Sequence, residues 1–148
     1  MEVKDRKDID VKDTWNLESI YANNELWEED YAALEKDAAE FAKLKGAIEA
    51  DVSKIPVVLD AYYGLHRCLS KLSVYARMRS DQDTTDSTYQ TMSAKIGSLG
   101  VKIGAASAFV EPEILSYSKE QLEAAEKENV CRPQARYQDT SYQHSLTR

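Results

Sequence analysis

Between positions 89 and 110 the apolar residues fall at Tyr89, Met92, Ile96, Leu99, Ile103, Ala106 and Val110, with gaps that alternate between three and four. Such alternation is the seam of a helix lying along one other helix. A strand, whose side chains repeat every two residues, cannot gather this set on one face. The segment therefore needs a long helical partner, and the preceding stretch supplies one. Val58, Ala61, Tyr62, Leu65, Leu69, Leu72 and Ala76 fall within one broad arc of a helical wheel, and Pro56 stands in the first turn, where a missing N–H is harmless. Between the two patterns runs YARMRSDQDTTDSTYQ, residues 75–90. It reads as the end of one helix near Arg79, an acidic bend carrying Asp81, Asp83 and Asp86, and the start of the next helix, with Thr85 or Asp86 as its N-cap. A long helical hairpin is the expected centre of the fold.

Beside the seam lies a stripe of small residues, Ser93, Gly97, Gly100, Gly104 and Ala108. A glycine in a helix interior costs up to about 1 kcal/mol relative to alanine, so the stripe predicts close approach of a second helix backbone. A membrane-type glycine pairing is disfavoured by Lys95 and Lys102. On the hairpin's first arm, Tyr63, Val74 and Met78 point away from the core arc, beside Asp60, Gly64, Arg67 and Lys71.

Upstream, Asn23 or Asn24 can cap a helix whose apolar face is Trp27, Tyr31, Leu34, Ala38, Phe41 and Ile48. Its acids sit early and Lys43 and Lys45 late, as the helix dipole favours, and Gly46 frays or breaks the end although the apolar pattern reaches Ile48. Before it, TWNLESIY (14–21) is read as a single turn capped by Asn16 that aims Trp15, Leu17, Ile20 and Tyr21 into a neighbouring groove. Trp15 is thus expected to be an anchor rather than a ligand contact. Residues 51–55 form a connector. Downstream, Pro112 opens a short turn ending at Ile114-Leu115, and Ser118-Lys119-Glu120-Gln121 spells a capping box for a last helix running to about Asn129.

The chemistry-bearing residues do not assemble into a site. His66 and Cys68 stand two apart on a helix, so their side chains point about 200° apart and cannot form a nucleophile–base pair. Both are read as residues at the edge of the core. The aspartates of the bend resemble a calcium loop only faintly: counted from Asp81, such a loop wants Gly sixth and Glu twelfth, where this chain has Asp86 and Met92. No catalytic, cofactor-binding or metal-ligating residue is assigned.

With 148 residues and 43% hydrophobic content, one globular domain is expected. The net charge of −7, with Lys and Arg dispersed among acids, disfavours nucleic acid and anionic membranes as partners. Two cysteines suggest no disulfide framework, no apolar run is long enough to span a bilayer, and a cytoplasmic location is expected. The style of the chain changes late: residues 1–130 carry 16 basic and 25 acidic side chains, whereas residues 131–148 carry 3 and 1. The expected organisation is a charged arm over 1–13, a helical domain over 14–130 and an aberrant, disordered tail over 131–148, which a frameshift or an artificial end would explain.

Taken together, TWNLESIY, the WEEDY helix (27–31), YARMRSDQDTTDSTYQ, AFVEPEIL (108–115) and SKEQLE (118–123) resemble, in that order, the N-terminal region of the oligoendopeptidase F family, zinc metallopeptidases of the thimet oligopeptidase clan. The resemblance covers roughly residues 6–128. It implies a cytosolic enzyme that cleaves short peptides in a channel between helical lobes, with this segment forming part of one wall. The family's chemistry needs His-Glu-x-x-His, two imidazoles for zinc and a glutamate to activate the metal-bound water. Here only His66 and His144 occur and neither precedes Glu, so no site residue transfers. The resulting expectation is an all-α antiparallel bundle of about four helices around a long central hairpin. It would be a truncated N-terminal lobe, inactive alone, with zinc belonging only to the full-length family. Its partners would be the missing catalytic domain and, in a full-length enzyme, short peptides, while self-association stays open. The alternative is a stand-alone helical module that binds a protein partner through the glycine stripe or the Tyr63, Val74, Met78 side.

Overall fold

The computed structural model describes residues 9–127, and among these residues every regular element is helical. The helices are α1 (Asn24–Ala42), α2 (Ala47–Ala50), α3 (Ile55–Gln82), α4 (Ser87–Ser107), α5 (Val110–Leu115) and α6 (Lys119–Lys127). Single 3-10 turns occupy Val11–Asp13, Leu17–Ser19 and Val52–Lys54. The fold is all-α, with α1, α3, α4 and α6 as its longer helices. The expected tail, most of the expected arm and the end of the last helix lie outside the described residues.

The described chain divides into two compact units, one holding residues 9–40 and 65–106, the other 41–64 and 107–127. In the first unit, cross-helix bonds reveal the directions of the helices. Trp27 Nε1–H donates to the Leu72 carbonyl at 3.0 Å, and Tyr75 Oη–H donates to Asn24 Oδ1 at 2.9 Å. As the α1 index falls by three the α3 index rises by three, so these helices are antiparallel. Lys95 pairs with Glu28 at 2.7 Å and Lys102 pairs with Glu35. Both indices advance by seven, so α1 and α4 run parallel in heptad register. Leu69 lies nearest to Gly100, each fourteen residues from its own end of the bend at Asp83–Asp86, as an antiparallel hairpin requires. Three helices thus enclose Trp27, Leu34, Ala38, Leu65, Leu72, Tyr75, Met92, Leu99 and Ile103, all buried.

Local chemistry explains the boundaries. Asn23 accepts the Leu26 N–H at 2.9 Å and is the cap of α1, which leaves Asn24 to hold Tyr75. α3 runs three residues beyond Arg79, to Gln82, so the bend is shorter than expected. Asp83 accepts the Thr85 N–H and hydroxyl at 2.9 and 2.6 Å, and Asp86 caps α4 through the Thr88 N–H at 2.8 Å.

The second unit is built from shorter pieces. Gly46 adopts φ +87°, a left-handed conformation that other residues rarely take, and α1 therefore ends before it. Ile48, expected on the α1 face, sits instead on its own short helix and is fully buried there. The first turn of α2 points its N–H groups at Glu113 of α5, which accepts from Gly46, Ile48 and Glu49. Tyr117 donates its hydroxyl to the Ile48 carbonyl at 2.8 Å. Phe41 stacks on Phe109 at 5.5 Å between centroids, with Tyr62 tilted against it. The capping box of α6 forms reciprocally: Ser118 N–H to Gln121 Oε1 at 2.8 Å, and Gln121 N–H to Ser118 Oγ at 3.3 Å.

Three expectations are corrected. Trp15 is 77% exposed, because the turn Leu17–Ser19 rotates Leu17 and Tyr21 inward and leaves Trp15 on the opposite side. Asn16 makes no side-chain capping bond to that turn. The glycine stripe receives no helix backbone: a Cβ added at Gly97 or Gly104 meets nothing within 4 Å, and at Gly100 it meets the Leu69 side chain at 3.8 Å. Tyr63 and Val74 are exposed as expected on the outer side of α3, while Met78 is half-buried.

Candidate functional site

His66 and Cys68 both lie on α3, half-buried and two residues apart, so they flank rather than face one another. The bend's carboxylates are engaged in local structure: Asp83 closes its turn and Asp86 caps α4. The side-chain and backbone hydrogen bonds from Thr85 hold the Asp83 carboxyl below the ordinary aspartate value. Among the described residues, no three His, Cys, Asp or Glu side chains converge where a metal ion would sit. His144 lies outside the described residues.

The most distinctive polar arrangement is around Arg79, near the end of α3. Its guanidinium lies over the Tyr75 ring at 5.2 Å and the Tyr89 ring at 6.0 Å from the centroids. Nη2 pairs with Glu18 at 2.8 Å and Nη1 reaches Gln82 Oε1 at 3.4 Å, while Nε–H is buried without an acceptor. Burial works to lower the Arg79 pKa, but Glu18 and Tyr75 together raise it above the ordinary value. Beside it an open groove runs between α3 and the N-terminal turns, lined by Val11, Thr14, Trp15, Asn16, Glu18, Arg79 and Gln82. A similar cluster fixes the start of α1: Tyr21 donates to Asp30 at 2.7 Å, and the Lys71 ammonium sits 4.2 Å over the Tyr21 ring. These groups hold the N-terminal turns against α1 and α3. They include no nucleophile with a base in reach. Sequence reading assigned no role to Arg79 beyond closing a helix, because a lone arginine near a helix end is ordinary until the turn carrying Glu18 is placed against it.

The chain is 33% identical over 122 residues to Oligopeptidase PepF of Bacillus subtilis (strain 168), a match covering 82% of this chain and 18% of that protein. It is 32% identical over 118 residues to the plasmid-borne Oligoendopeptidase F of Lactococcus lactis subsp. cremoris, covering 79% and 20%. Over these residues the chain belongs to the oligoendopeptidase F family. Group B oligopeptidase PepB of Streptococcus agalactiae serotype III (strain NEM316) matches similarly, 32% over 114 residues, 77% of this chain and 19% of that protein. This family member therefore spans about a fifth of the length of the curated relatives it matches. No family model matches the chain, and no solved structure matches it. None of its described helices is long and apolar enough to cross a membrane.

Proposed function

We propose that this chain is the N-terminal helical lobe of an oligoendopeptidase F-type zinc peptidase, a wall of the channel in which short peptides are cleaved, and that it has no peptidase activity by itself. The observation that carries this reading is the asymmetry of the matches: about four-fifths of this chain corresponds to about one-fifth of proteins named as oligopeptidases. Support comes from the histidines, since neither of the two precedes a glutamate and the motif that would hold zinc and activate water must come from elsewhere. On this reading zinc, the peptide substrate and a cytoplasmic setting belong to the assembled enzyme. What these residues contribute is a stiff three-helix wall whose position is fixed by Trp27, Tyr75 and the two Lys–Glu pairs across α1 and α4.

The test is a chimera in which residues 9–127 replace the matched segment of the Bacillus subtilis relative. Zinc-dependent cleavage of short peptides by the chimera, with none by the 148-residue chain alone, is the expected result. A soluble, zinc-loaded chimera that leaves peptides intact overturns the reading and favours the alternative of a free-standing interaction module.

A further inference from the structure

Trp15 is the residue whose placement the three-helix core does not explain. The turn that follows it is well anchored: Leu17 and Tyr21 are buried, Glu18 is paired with Arg79, and the Ser19 hydroxyl donates to the Asn16 carbonyl at 2.6 Å. An anchored turn that holds a large indole in water forgoes the burial that tryptophan usually finds, worth roughly 2–3 kcal/mol for a large apolar side chain. The groove beside it is amphipathic. Val11 and the indole give it apolar surface, while Asn16 has no capping bond to its own turn and Arg79, besides its ion pair with Glu18 on the same wall, spends one arm on a 3.4 Å contact with Gln82. A guanidinium has five N–H donors, so Arg79, with Glu18 already paired to it, still has capacity to serve an arriving neutral carbonyl. Tryptophan and arginine side by side, with an apolar neighbour and adaptable amides at the edge, are the composition of an interface hot spot.

We infer that the Trp15–Arg79 groove is a docking site for the catalytic remainder of the peptidase, filled by an apolar side chain against the indole and by a backbone carbonyl at Arg79 and Asn16. This inference rests on the proposed function and names the surface through which it acts. The occupant follows from length: the curated relatives are about five times as long as the matched segment, so most of each relative's chain lies outside it. The chemistry of the groove, one aromatic wall beside the Arg79–Glu18 ion pair, suits a folded partner presenting an apolar residue next to a neutral acceptor. It does not suit the loose electrostatics of a nucleic acid or lipid surface, which need clustered cations.

Hydroxyl-radical footprinting read by mass spectrometry tests this residue by residue. In the 148-residue chain alone, Trp15 should oxidise rapidly and Trp27, fully buried, slowly. In the chimera described above, Trp15 oxidation should fall several-fold. Trp15→Ala should leave the Tm of the chain alone unchanged, since the indole touches water there, and lower that of the chimera by several degrees. An active chimera in which Trp15 oxidises as fast as in the chain alone overturns the docking site and leaves the proposed function standing. Protection of Trp15 in an inactive chimera upholds docking and removes the proposed function. Protection in the chain alone that grows with concentration makes a second copy the occupant and overturns the assignment.

Discussion

The two units are held by different means. In the unit of residues 9–40 and 65–106, three long helices meet along periodic apolar faces and the polar contacts sit where the periods place them: the Lys–Glu pairs one heptad apart, and the Trp27 and Tyr75 bonds at matching steps on α1 and α3. In the unit of residues 41–64 and 107–127, the pieces are short. Helix α2 has four residues and α5 has six, and isolated helices of that length are unstable in water. The start of α2 is tied to α5 by one buried carboxylate. Glu113, 8% exposed, accepts three backbone N–H groups at the start of α2, where a helix has unsatisfied donors and a positive dipole end. A periodic core distributes its stability over many weak contacts, whereas a single carboxylate holding a helix end concentrates it in one residue.

The sharpest test of that contrast is Trp27→Ala. It removes the largest fully buried side chain of the first unit and leaves the Leu72 carbonyl without its indole donor. A loss of about 3–5 kcal/mol is expected, read as a lower urea midpoint. A loss under about 1 kcal/mol would mean the periodic core is not the source of stability in that unit.

Glu113→Gln asks the matching question of the second unit. The side-chain shape is kept, but the amide offers one acceptor oxygen and turns an NH2 group toward backbone donors. About 2 kcal/mol of destabilisation is expected, with the Ile48 and Glu49 amides exchanging hydrogen faster. Unchanged exchange at these amides would show that α2 is held by burial of Ile48 and not by the carboxylate.

The smallest effect has the opposite sign. Gly97→Ala, inside α4, adds a methyl group that meets nothing within 4 Å, so the chain should gain about 0.5–1 kcal/mol, measured as a higher Tm. A loss instead would show that another backbone comes close to this face of α4 in solution.

Much of the first unit was legible because helix periodicity reports burial directly. The α4 seam, the α3 arc and the α1 face each supplied residues that are buried there: Met92, Leu99 and Ile103; Leu65, Leu72 and Ala76; Trp27, Leu34 and Ala38. Capping chemistry was equally readable at Asp86 and in the Ser118–Gln121 box, since both act within three residues of themselves. Tyr75 was read only as a helix end, although it is fully buried, because its place depends on Tyr21 packing edge-on against it from fifty-four positions away. Trp15 was misread for a related reason. Four large residues in one short turn cannot all point inward, and sequence alone does not say which is left out.

What the sequence determined by itself is the helical class, the hairpin about the acidic bend and the family kinship, because local spacing and ordered motifs carry them. The tertiary structure decided what depends on groups far apart in the chain: Glu113 at the head of α2, Arg79 between Glu18 and the tyrosines, and Trp15 turned toward water. Periodicity says which face of a helix seeks cover. Only the packed chain decides which polar atoms meet when those faces close, since hydrogen bonds and ion pairs act over a few ångströms in space regardless of separation in sequence.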